Sequence, residues 1–337
     1  MATEDTTAGD AAPYDLEEVI GKGSFGTVYR ASRGDGELVA VKVVELEAPA
    51  DELEAVQSEI EALKSAAACP RLVRYLGCHV VAQKLWIVTE YLGGGSLGGL
   101  MDRTGPLAEP VLRGVVAEIL KGLEFLHADR RVHRDVKAKN VLVADDGAVK
   151  LADFGVATRL TDTTTKRQTM IGTPYWMAPE VIEQSKYATP ADVPPPPRGT
   201  SIGRLASTPR RLAAAAPRRR RADAGIDDKT QVWSVGVTAV ELATTRPPRH
   251  ELHPMRVLFV VPRDPPPRLE GVEFSPGLRA FVATCLVKDP SARPTVPGLL
   301  DDAWVAGASF ETVSKPALSA LVSADRDAPP PPPPPPP

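Results

Sequence analysis

The chain has 337 residues, 43% of them hydrophobic, and a formal net charge of −3. This length suffices for the core of two lobes or two domains, and the near-neutral charge gives no global reason to expect nucleic acid or an anionic membrane as a partner. Three cysteines without metal-ligand spacing predict neither a disulfide framework nor a zinc site, which favours a reducing, cytoplasmic setting.

The composition divides the chain into segments. Residues 1–13 form an acidic leader, expected to be disordered, with no apolar signal-peptide core. Residues 14–92 are strand-rich with one helical stretch, whereas residues 93–308 carry mainly helical periodicity, so a small lobe precedes a larger one. Residues 309–337 form a proline-rich tail whose last prolines favour polyproline II and cannot join a core. No apolar run approaches the roughly 18 residues of a membrane span.

The first motif is a glycine-rich stretch, "VIGKGSFGTVYRA", with Gly21, Gly23 and Gly26 in GxGxxG spacing. A dinucleotide-binding fingerprint requires a helix directly after the glycines, whereas β-forming residues follow here. Strand, glycine loop and strand form a flap whose backbone N–H groups can approach phosphates, because no Cβ intervenes. A glycine hairpin without a ligand is the alternative.

A lysine and a glutamate follow the flap. Lys42 ends the alternating strand "VAVK", from which its cation can point toward the flap; a solvated surface lysine is the plain alternative. Asp51 and Glu54 open the next helix as a capping box, and its apolar stripe has helical spacing. Glu59 lies at the edge of that stripe, so a Lys42–Glu59 pair is compatible with the spacing.

The strongest motif is "RVHRDVKAKNVLV", which brings Asp135, Lys137 and Asn140 into one short loop. A carboxylate, a cation and an amide supply a proton acceptor, a phosphate-neutralising charge and a metal ligand. A second acidic residue, Asp153, follows a strand in "VKLADFG". Either motif alone is a chance match in a long chain, but their order and spacing together are not.

These motifs resemble those of eukaryotic protein kinases over residues 14–305 apart from an internal island. The resemblance implies an α+β bilobal fold, with a small antiparallel β-sheet lobe carrying one regulatory helix and a larger, mainly helical lobe. "YLGGGSL", "GTPYWMAPEVI", "ELHPMRVLF" and "CLVKDPSARPT" are similar to the germinal-centre kinases of the STE group, particularly those with short regulatory tails. Lys137, two residues after Asp135, is typical of serine/threonine kinases.

The resemblance implies a role for each matching position. Asp135 orients the substrate hydroxyl and accepts its proton, Lys137 neutralises the transferred phosphoryl group, and Lys42, steered by Glu59, holds the α- and β-phosphates. Asn140 and Asp153 hold Mg²⁺. The residues expected to bind ATP are Gly21, Lys22, Gly23, Ser24, Gly26, Val28, Ala40, Lys42, Glu90, Leu92 and Leu142.

Regulation is likewise implied by matching positions. Thr169 stands at the main phosphorylation site of the family, and Arg134 would hold the phosphate; an ordinary loop threonine is the alternative. Thr173 resembles the threonine that bonds the catalytic aspartate. Glu180 and Arg293 would form a buried ion pair of the large lobe.

Residues 193–231 interrupt the match with prolines, alanines and arginines. The family has an aspartate two residues before the tryptophan of "VWSVGV", where this chain has Gln231, a poor substitute for a carboxylate. Removing the island places Asp192 there, and its 39 residues correspond to a coding length divisible by three. Val codons begin with GT and Gln can be encoded CAG, as at intron ends. We therefore interpret the island as a retained intron.

Two other interpretations of the island remain open. Its arginine run could serve nuclear import or nucleic-acid binding, although it lacks interleaved aromatic residues for base stacking. It could also be a disordered regulatory loop, because closing a loop of this length costs only about 3 kcal/mol.

The predicted function is ATP- and Mg²⁺-dependent phosphorylation of protein serine or threonine in intracellular signalling, switched on by activation-loop phosphorylation. The expected partners are ATP, protein substrates and, from the family, an adaptor or a dimer partner. The alternative is a kinase-fold scaffold with impaired activity, which Gln231 favours. We expect the chain with the island to fold but to phosphorylate poorly.

Overall fold

The computed structural model of the chain describes residues 13–23, 26–45, 57, 60–61, 63–64, 67–153, 158–159, 173–184 and 222–328. Within these ranges a five-stranded antiparallel sheet precedes a larger, mainly helical part, as the sequence predicts. None of the described helices has both the length and the apolar character of a membrane span.

The small lobe is built on strands that alternate between buried and half-buried residues. The strands are β1 (Tyr14–Gly23), β2 (Gly26–Arg33), β3 (Leu38–Glu45), β4 (Tyr75–Val81) and β5 (Lys84–Glu90), in the order β1-β2-β3-β5-β4. Val39 and Val41 point to one face, where they pack with Trp86 in a small separate core. Since side chains alternate along a strand, Ala40 and Lys42 point to the other face, where Val44 joins the main core.

The predicted helix of the small lobe is described only in part. Residues 57, 60–61 and 63–64 are helical, Leu63 is buried and Ile60 packs against the main core. These two members of the predicted apolar stripe are confirmed. The capping residues Asp51 and Glu54 lie outside the described residues.

The large lobe packs its helices around one apolar core. The described helices are α1 (Leu97–Thr104), α2 (Glu109–Ala128), α3 (Pro179–Gln184), α4 (Ala222–Thr244), α5 (Pro254–Arg263), α6 (Pro276–Cys285), α7 (Val296–Leu300), α8 (Ala303–Ala306) and α9 (Lys315–Asp327). In α2, apolar residues at helical spacing are almost all buried. Trp233 of α4 and Phe281 of α6 are the largest apolar side chains that are fully buried.

Short strands connect the helices and carry the polar motifs. They are β6 (Gly95–Ser96), β7 (Arg131–Val132), β8 (Val141–Val143), β9 (Val149–Leu151) and β10 (Thr158–Arg159). β8 pairs with β6 and with β9, and β7 pairs with β10. The loop with Asp135 therefore runs between β7 and β8, and Asp153 follows β9 by two residues.

The structure corrects the predicted end of the large lobe at residue 308. A π-helical turn at Phe310–Ser314 and α9 follow, and their side chains Phe310, Leu318 and Val322 are buried in the main core. Arg103 of α1 also donates two hydrogen bonds to Asp325, at 2.6 and 2.7 Å. The proline run, which lies outside the described residues, obscured this apolar helical pattern.

The structure also corrects the expected end of the island. Residues 222–231, assigned to the insertion, form the first turns of α4. Arg293 donates to the Lys229 carbonyl at 3.0 Å, and Thr230 Oγ1 donates to Glu180 at 3.0 Å. This end of the island is thus part of the folded lobe, whereas residues 193–221 lie outside the described residues.

Candidate active site

The loop between β7 and β8 fixes one carboxylate from two sides. Asp135 is buried, and Lys137 Nζ donates to its Oδ2 at 2.6 Å. Asn140 Nδ2 donates to the same oxygen at 2.9 Å and to the Asp135 carbonyl at 2.8 Å. The three residues that the sequence predicted to act together therefore converge on one another.

A fourth residue reaches this cluster from another segment. Thr173 Oγ1 donates to Asp135 Oδ1 at 3.2 Å and accepts from Lys137 Nζ at 2.8 Å. The predicted bond between Thr173 and Asp135 is confirmed. Because both carboxylate oxygens have a partner, the rotation of the Asp135 side chain is fixed.

Helix α4 anchors the backbone of the same loop. A polar side chain on a buried helix face must find a partner, and here the partners are loop amides and carbonyls. Three contacts do this: Gln231 Oε1 accepts from the His133 N–H (2.9 Å), Thr238 Oγ1 donates to the Val136 carbonyl (3.1 Å) and Glu241 Oε2 accepts from the Ala138 N–H (2.9 Å).

The contact of Gln231 refines the sequence interpretation. The amide oxygen forms the loop bond expected of a carboxylate at this position, so the neutral side chain does substitute in this one contact. Its second polar atom differs from a carboxylate oxygen, because Nε2 is a donor, and it lies 2.5 Å from His127 Nε2. At residue 231 the loop is therefore anchored by one amide oxygen, where a carboxylate would offer two.

Glu241 is a buried acid that joins the loop to the segment carrying Thr173. Its Oε2 accepts from the Ala138 N–H and also from Trp176 Nε1 at 3.1 Å. Burial raises the pKa of Glu241 from 4.5 to about 7, and the bonds from Ala138 and Trp176 oppose this shift. Its charge state therefore changes near neutral pH.

His133 links the loop to the strand that leads to Asp153. The ring is fully buried, and burial lowers its pKa, so the imidazole is neutral. Nε2 lies 3.0 Å from the Ala152 carbonyl, which can only accept; the proton is therefore assigned to Nε2. Nδ1 then faces the Asp135 N–H at 3.4 Å.

The two predicted metal ligands lie on adjacent backbone segments. The Ala152 N–H donates to the Asn140 carbonyl at 2.8 Å, which sets Asp153 beside Asn140 in the fold. Since Asn140 uses Nδ2 to bond Asp135, its amide oxygen is directed elsewhere. An amide oxygen and a carboxylate are the donor types that Mg²⁺ prefers, so these residues fit the predicted ion.

The sheet of the small lobe groups the predicted nucleotide-binding residues on one face. Val28 pairs directly with Lys42, and Gly21 pairs with Val28. Directly paired residues share a face, and Ala40 lies two residues from Lys42 on that face. Val28, Ala40 and Lys42 are therefore together, as the nucleotide assignment requires.

Of the two hairpin glycines whose surroundings the structure describes, Gly21 and Gly26, only Gly26 is sterically required. A Cβ added to Gly26 would lie 2.1 Å from the Val43 carbonyl oxygen, so only glycine allows β2 to approach β3 there. A Cβ on Gly21 would meet only Val28, at 3.9 Å. Gly23 pairs with Gly26 at the tip, and Lys22 is exposed.

The other predicted nucleotide contacts lie at the end of β5, just after it, and on β8. Glu90 accepts from Lys150 Nζ at 2.6 Å and from the Arg74 N–H at 2.7 Å. Leu92 is buried, and Leu142 of β8 is half-buried. The carboxylate of Glu90 thus ties the end of β5 to Lys150 of β9, and the Glu90 N–H donates to the Arg74 carbonyl at 3.0 Å.

Several predicted site residues lie outside the described residues. They are Ser24, Glu59 and Thr169. The Lys42–Glu59 pair and the phosphorylation site therefore stay predictions. Arg134, the predicted phosphate ligand, is described and has a left-handed backbone with φ of 68°.

The predicted ion pair of the large lobe is confirmed. Arg293 Nη1 and Nη2 donate to the two Glu180 oxygens at 2.7 and 2.8 Å. The guanidinium also lies over the Trp233 ring, 5.2 Å from its centroid, and Arg293 is 1% exposed. Glu180 lies in the first turn of α3, soon after Thr173, so the pair holds the segment that bonds Asp135.

Sequence reasoning missed Thr238, Glu241 and His127. Thr238 and Glu241 are three residues apart in the apolar pattern "VWSVGVTAVELA", and this spacing places them on one buried helix face. Polar residues on an otherwise apolar helix face are the sequence pattern that would have identified Thr238 and Glu241 as candidates. His127 ends an apolar helix, where nothing in the sequence distinguishes it from a packed histidine.

Comparison with known proteins agrees with these motifs. The protein kinase domain family matches residues 14–193. The chain is 38% identical over 296 residues to the serine/threonine-protein kinase dst1 of Dictyostelium discoideum, covering 87% of this chain and 34% of that protein. It is 37% identical over 308 residues to the serine/threonine-protein kinase hippo of Drosophila melanogaster, covering 90% and 40%. The chain thus spans well under half the length of these two relatives.

Proposed function

Because the chain belongs to the protein kinase family, we propose that it transfers the γ-phosphoryl group of ATP to serine or threonine hydroxyls of proteins, as a kinase of the germinal-centre type. The observation that carries this proposal is the Asp135 cluster. Lys137 bonds one carboxylate oxygen of Asp135, and Thr173 bonds the other. The carboxylate is therefore held in a fixed position next to a cation.

The chemistry follows from this cluster. Asp135 orients the substrate hydroxyl and accepts its proton as the hydroxyl oxygen forms a bond to the γ-phosphorus and the bond to the β-phosphate oxygen breaks. Lys137 Nζ, 2.6 Å from that carboxylate, neutralises charge on the transferred group. ADP, with the electron pair of the broken bond, is the leaving group.

The metal requirement is supported by the donors beside Asp135. Asn140 and Asp153 would hold Mg²⁺, which offsets phosphate charge when bound. One carboxylate and one amide leave positions for phosphate oxygens and water, as Mg²⁺ sites in phosphoryl-transfer enzymes do. On the side of the small lobe, the face with Val28, Ala40 and Lys42 would cover the nucleotide.

Activation by phosphorylation is part of the proposal. Arg134 directly precedes Asp135, so a phosphate bound by its guanidinium would act on the backbone that carries the catalytic carboxylate. We assign the phosphate to Thr169, by the position of this threonine before Thr173. Phosphorylated and unphosphorylated protein, compared in the same assay, test this assignment.

A second candidate function is that of a scaffold with impaired kinase activity. It is favoured by Gln231, whose side chain anchors the catalytic loop through one oxygen only. The matched family range also ends at residue 193, where the island begins, which supports our interpretation of the island as a retained intron. Removing residues 193–231 places Asp192 two residues before Trp233. A carboxylate there offers two oxygens where the amide offers one.

Phosphate transfer from labelled Mg-ATP to a generic protein substrate separates the candidates. We expect transfer by the full chain, a higher kcat for the variant without residues 193–231, and a kcat lower by about 10²–10⁴-fold for Asp135→Asn. Transfer that is equal in the full chain and in Asp135→Asn would reject the kinase proposal. Equal kcat with and without the island would reject the proposed impairment. Full-length transcripts that all retain the island would reject the intron interpretation.

A further inference from the structure

Two elements far apart in the chain meet at the Gln231 side chain. Gln231, on α4, is 2% exposed, and its Oε1 accepts from the His133 N–H at 2.9 Å. On its other side, Nε2 lies 2.5 Å from Nε2 of His127, the penultimate residue of α2. One amide therefore connects the catalytic loop to an imidazole.

The hydrogen-bond pattern fixes both side chains. The His133 N–H is a donor, so the oxygen of Gln231 must face it, and the NH₂ group must face His127. His127 Nε2 consequently accepts and carries no proton. The ring proton lies on Nδ1, which faces Asp228 Oδ1 at 3.6 Å.

We propose that His127 is a positioning residue for the catalytic loop: its neutral ring fixes the Gln231 amide, and protonation of the ring withdraws the amide oxygen from the His133 N–H. This inference rests on the proposed kinase function. His127 acts through Gln231 and touches no reacting group.

Protonation of His127 changes the balance of donors and acceptors around the Gln231 side chain. Protonated His127 carries a hydrogen on Nε2, so two N–H donors, from His127 and His133, compete for the single oxygen of Gln231. If the amide turns its oxygen to the imidazolium, its NH₂ group faces the His133 N–H. A buried N–H without an acceptor is unfavourable, because it has lost its bond to water and gained none in the protein. A carboxylate at residue 231 would satisfy both donors, so this competition is specific to the amide.

The surroundings determine when the ring is neutral. The charged group that faces the ring is Asp228 of α4. Of the neighbouring groups after α2, Asp129 and Arg131 pair with each other at 2.9 Å, and the His133 ring faces Ala152. Burial lowers the pKa of His127, and Asp228 opposes the shift. The ring is therefore neutral at pH 7 and is protonated under acidic conditions.

The test is the pH profile of kcat between pH 5.5 and 8. For the full chain we expect an acid limb on which kcat falls about tenfold per pH unit once His127 is protonated. We expect this limb to be absent in Gln231→Asp, where both donors are satisfied, and in His127→Asn, where the imidazole is removed. Profiles of the same shape in all three proteins would overturn the proposal.

A second measurement does not depend on activity. Hydrogen exchange of the His133 amide, corrected for the intrinsic effect of pH, reports the anchoring bond, and the ¹H NMR shift of His127 reports ring protonation. We expect His133 protection to fall at least tenfold as His127 titrates in the full chain, and to be unaffected in Gln231→Asp. Protection that is independent of His127 titration would overturn the proposal. A full chain without phosphate transfer at any pH would instead reject the kinase function, and exchange would still decide the positioning role.

Discussion

The catalytic loop and the glycine hairpin are held by opposite means. The loop is buried and receives side-chain bonds from α4, about a hundred residues later in the chain. The hairpin β1–β2 is held by its backbone ladder, and residues 15–20 of β1 are exposed. The loop geometry thus depends on particular polar side chains, whereas the hairpin depends at one point on having no side chain.

This difference corresponds to two tasks in phosphate transfer. A group that accepts a proton must be fixed within a fraction of an ångström, which buried and fully bonded polar groups achieve. A cover over a nucleotide must open for exchange of ligand, and a sheet edge whose side-chain ties, such as Arg30 with Glu17 and Glu18, lie at the surface can do so. The following substitutions test this division, beginning with the largest expected effect.

Asp135→Asn tests whether the fixed loop performs the chemistry. The amide retains the size of the side chain but cannot accept the hydroxyl proton, so we expect kcat to fall by about 10²–10⁴-fold. A phosphate-release or coupled assay measures kcat. The matched control is Asp264→Asn, an exposed acid whose carboxylate lies 3.8 Å from Arg249, which should leave kcat unchanged. A loss below threefold for Asp135→Asn would remove the loop from the mechanism.

Arg293→Met tests whether buried polar ties also stabilise the large lobe. Removing the guanidinium leaves the Glu180 carboxylate, 12% exposed, without its partner, so we expect the free energy of unfolding to fall by about 3–5 kcal/mol. Urea denaturation measures it. Arg103→Met is the control, because its bidentate pair with Asp325 is more exposed and should contribute at most about 1 kcal/mol. Similar losses in the two variants would contradict the interpretation.

Glu241→Gln tests the second anchor through pH. The pKa of Glu241 is about 7 in the folded chain and ordinarily 4.5, so its contribution to stability is present below pH 4.5 and is lost as pH rises through about 7. The free energy of unfolding of Glu241→Gln should not show this fall with pH, which amounts to about 3 kcal/mol in the full chain. Urea denaturation at pH 5, 6 and 7 gives the comparison.

The two buried histidines provide the internal reference for that experiment. Burial lowers the pKa of His127 and His133, so their contribution is present above pH 6.5 and is lost on acidification. The pH dependence of stability that these histidines cause has the opposite sign to that caused by Glu241. Because the full chain and Glu241→Gln both contain the two histidines, their effect cancels when the stabilities of the two proteins are subtracted. Parallel stability curves for the full chain and Glu241→Gln would show that the carboxylate does not titrate in this range.

Gly26→Ala tests the hairpin. The new methyl group would overlap the Val43 carbonyl, so β2 and β3 must separate, and we expect a loss of about 1–3 kcal/mol in the free energy of unfolding with a raised KM for ATP. Gly21→Ala is the matched control, because the space there is open, and it should change stability by less than about 0.5 kcal/mol. Equal effects of the two alanines would show that close backbone approach is unimportant.

The loop with Asp135 and the glycine hairpin follow from local sequence motifs. The Thr173 bond and the Glu180–Arg293 pair join distant segments, and the family resemblance implied them; other distant contacts were missed. The anchors Thr238 and Glu241 were missed because their partners are loop backbone groups, which have no sequence signature. A buried polar group reveals its role only when the fold supplies its partner.

Helix α9 shows a different cause of failure. The prolines at 329–337 dominate the composition of the last segment, so the sequence predicted a proline-rich tail from residue 309 onward. Leu318 and Val322, four residues apart, would have indicated a helical face if that segment had been considered by itself. The two errors differ. A shorter window would have revealed the helical face of α9, whereas the polar residues of α4 could be noticed in the sequence but their partners could be identified only in the tertiary structure.

The backbone at Arg134 and Asp153 has φ of 68° and 64°, in the left-handed region that most residues avoid. Each such residue costs about 1–3 kcal/mol, which the surrounding contacts must outweigh. Part of the backbone strain of this protein therefore lies beside the proposed catalytic and metal-binding groups. Selection for thermal resistance alone would favour glycine at these two positions, and a more durable molecule obtained in this way would have a less well-defined reaction centre.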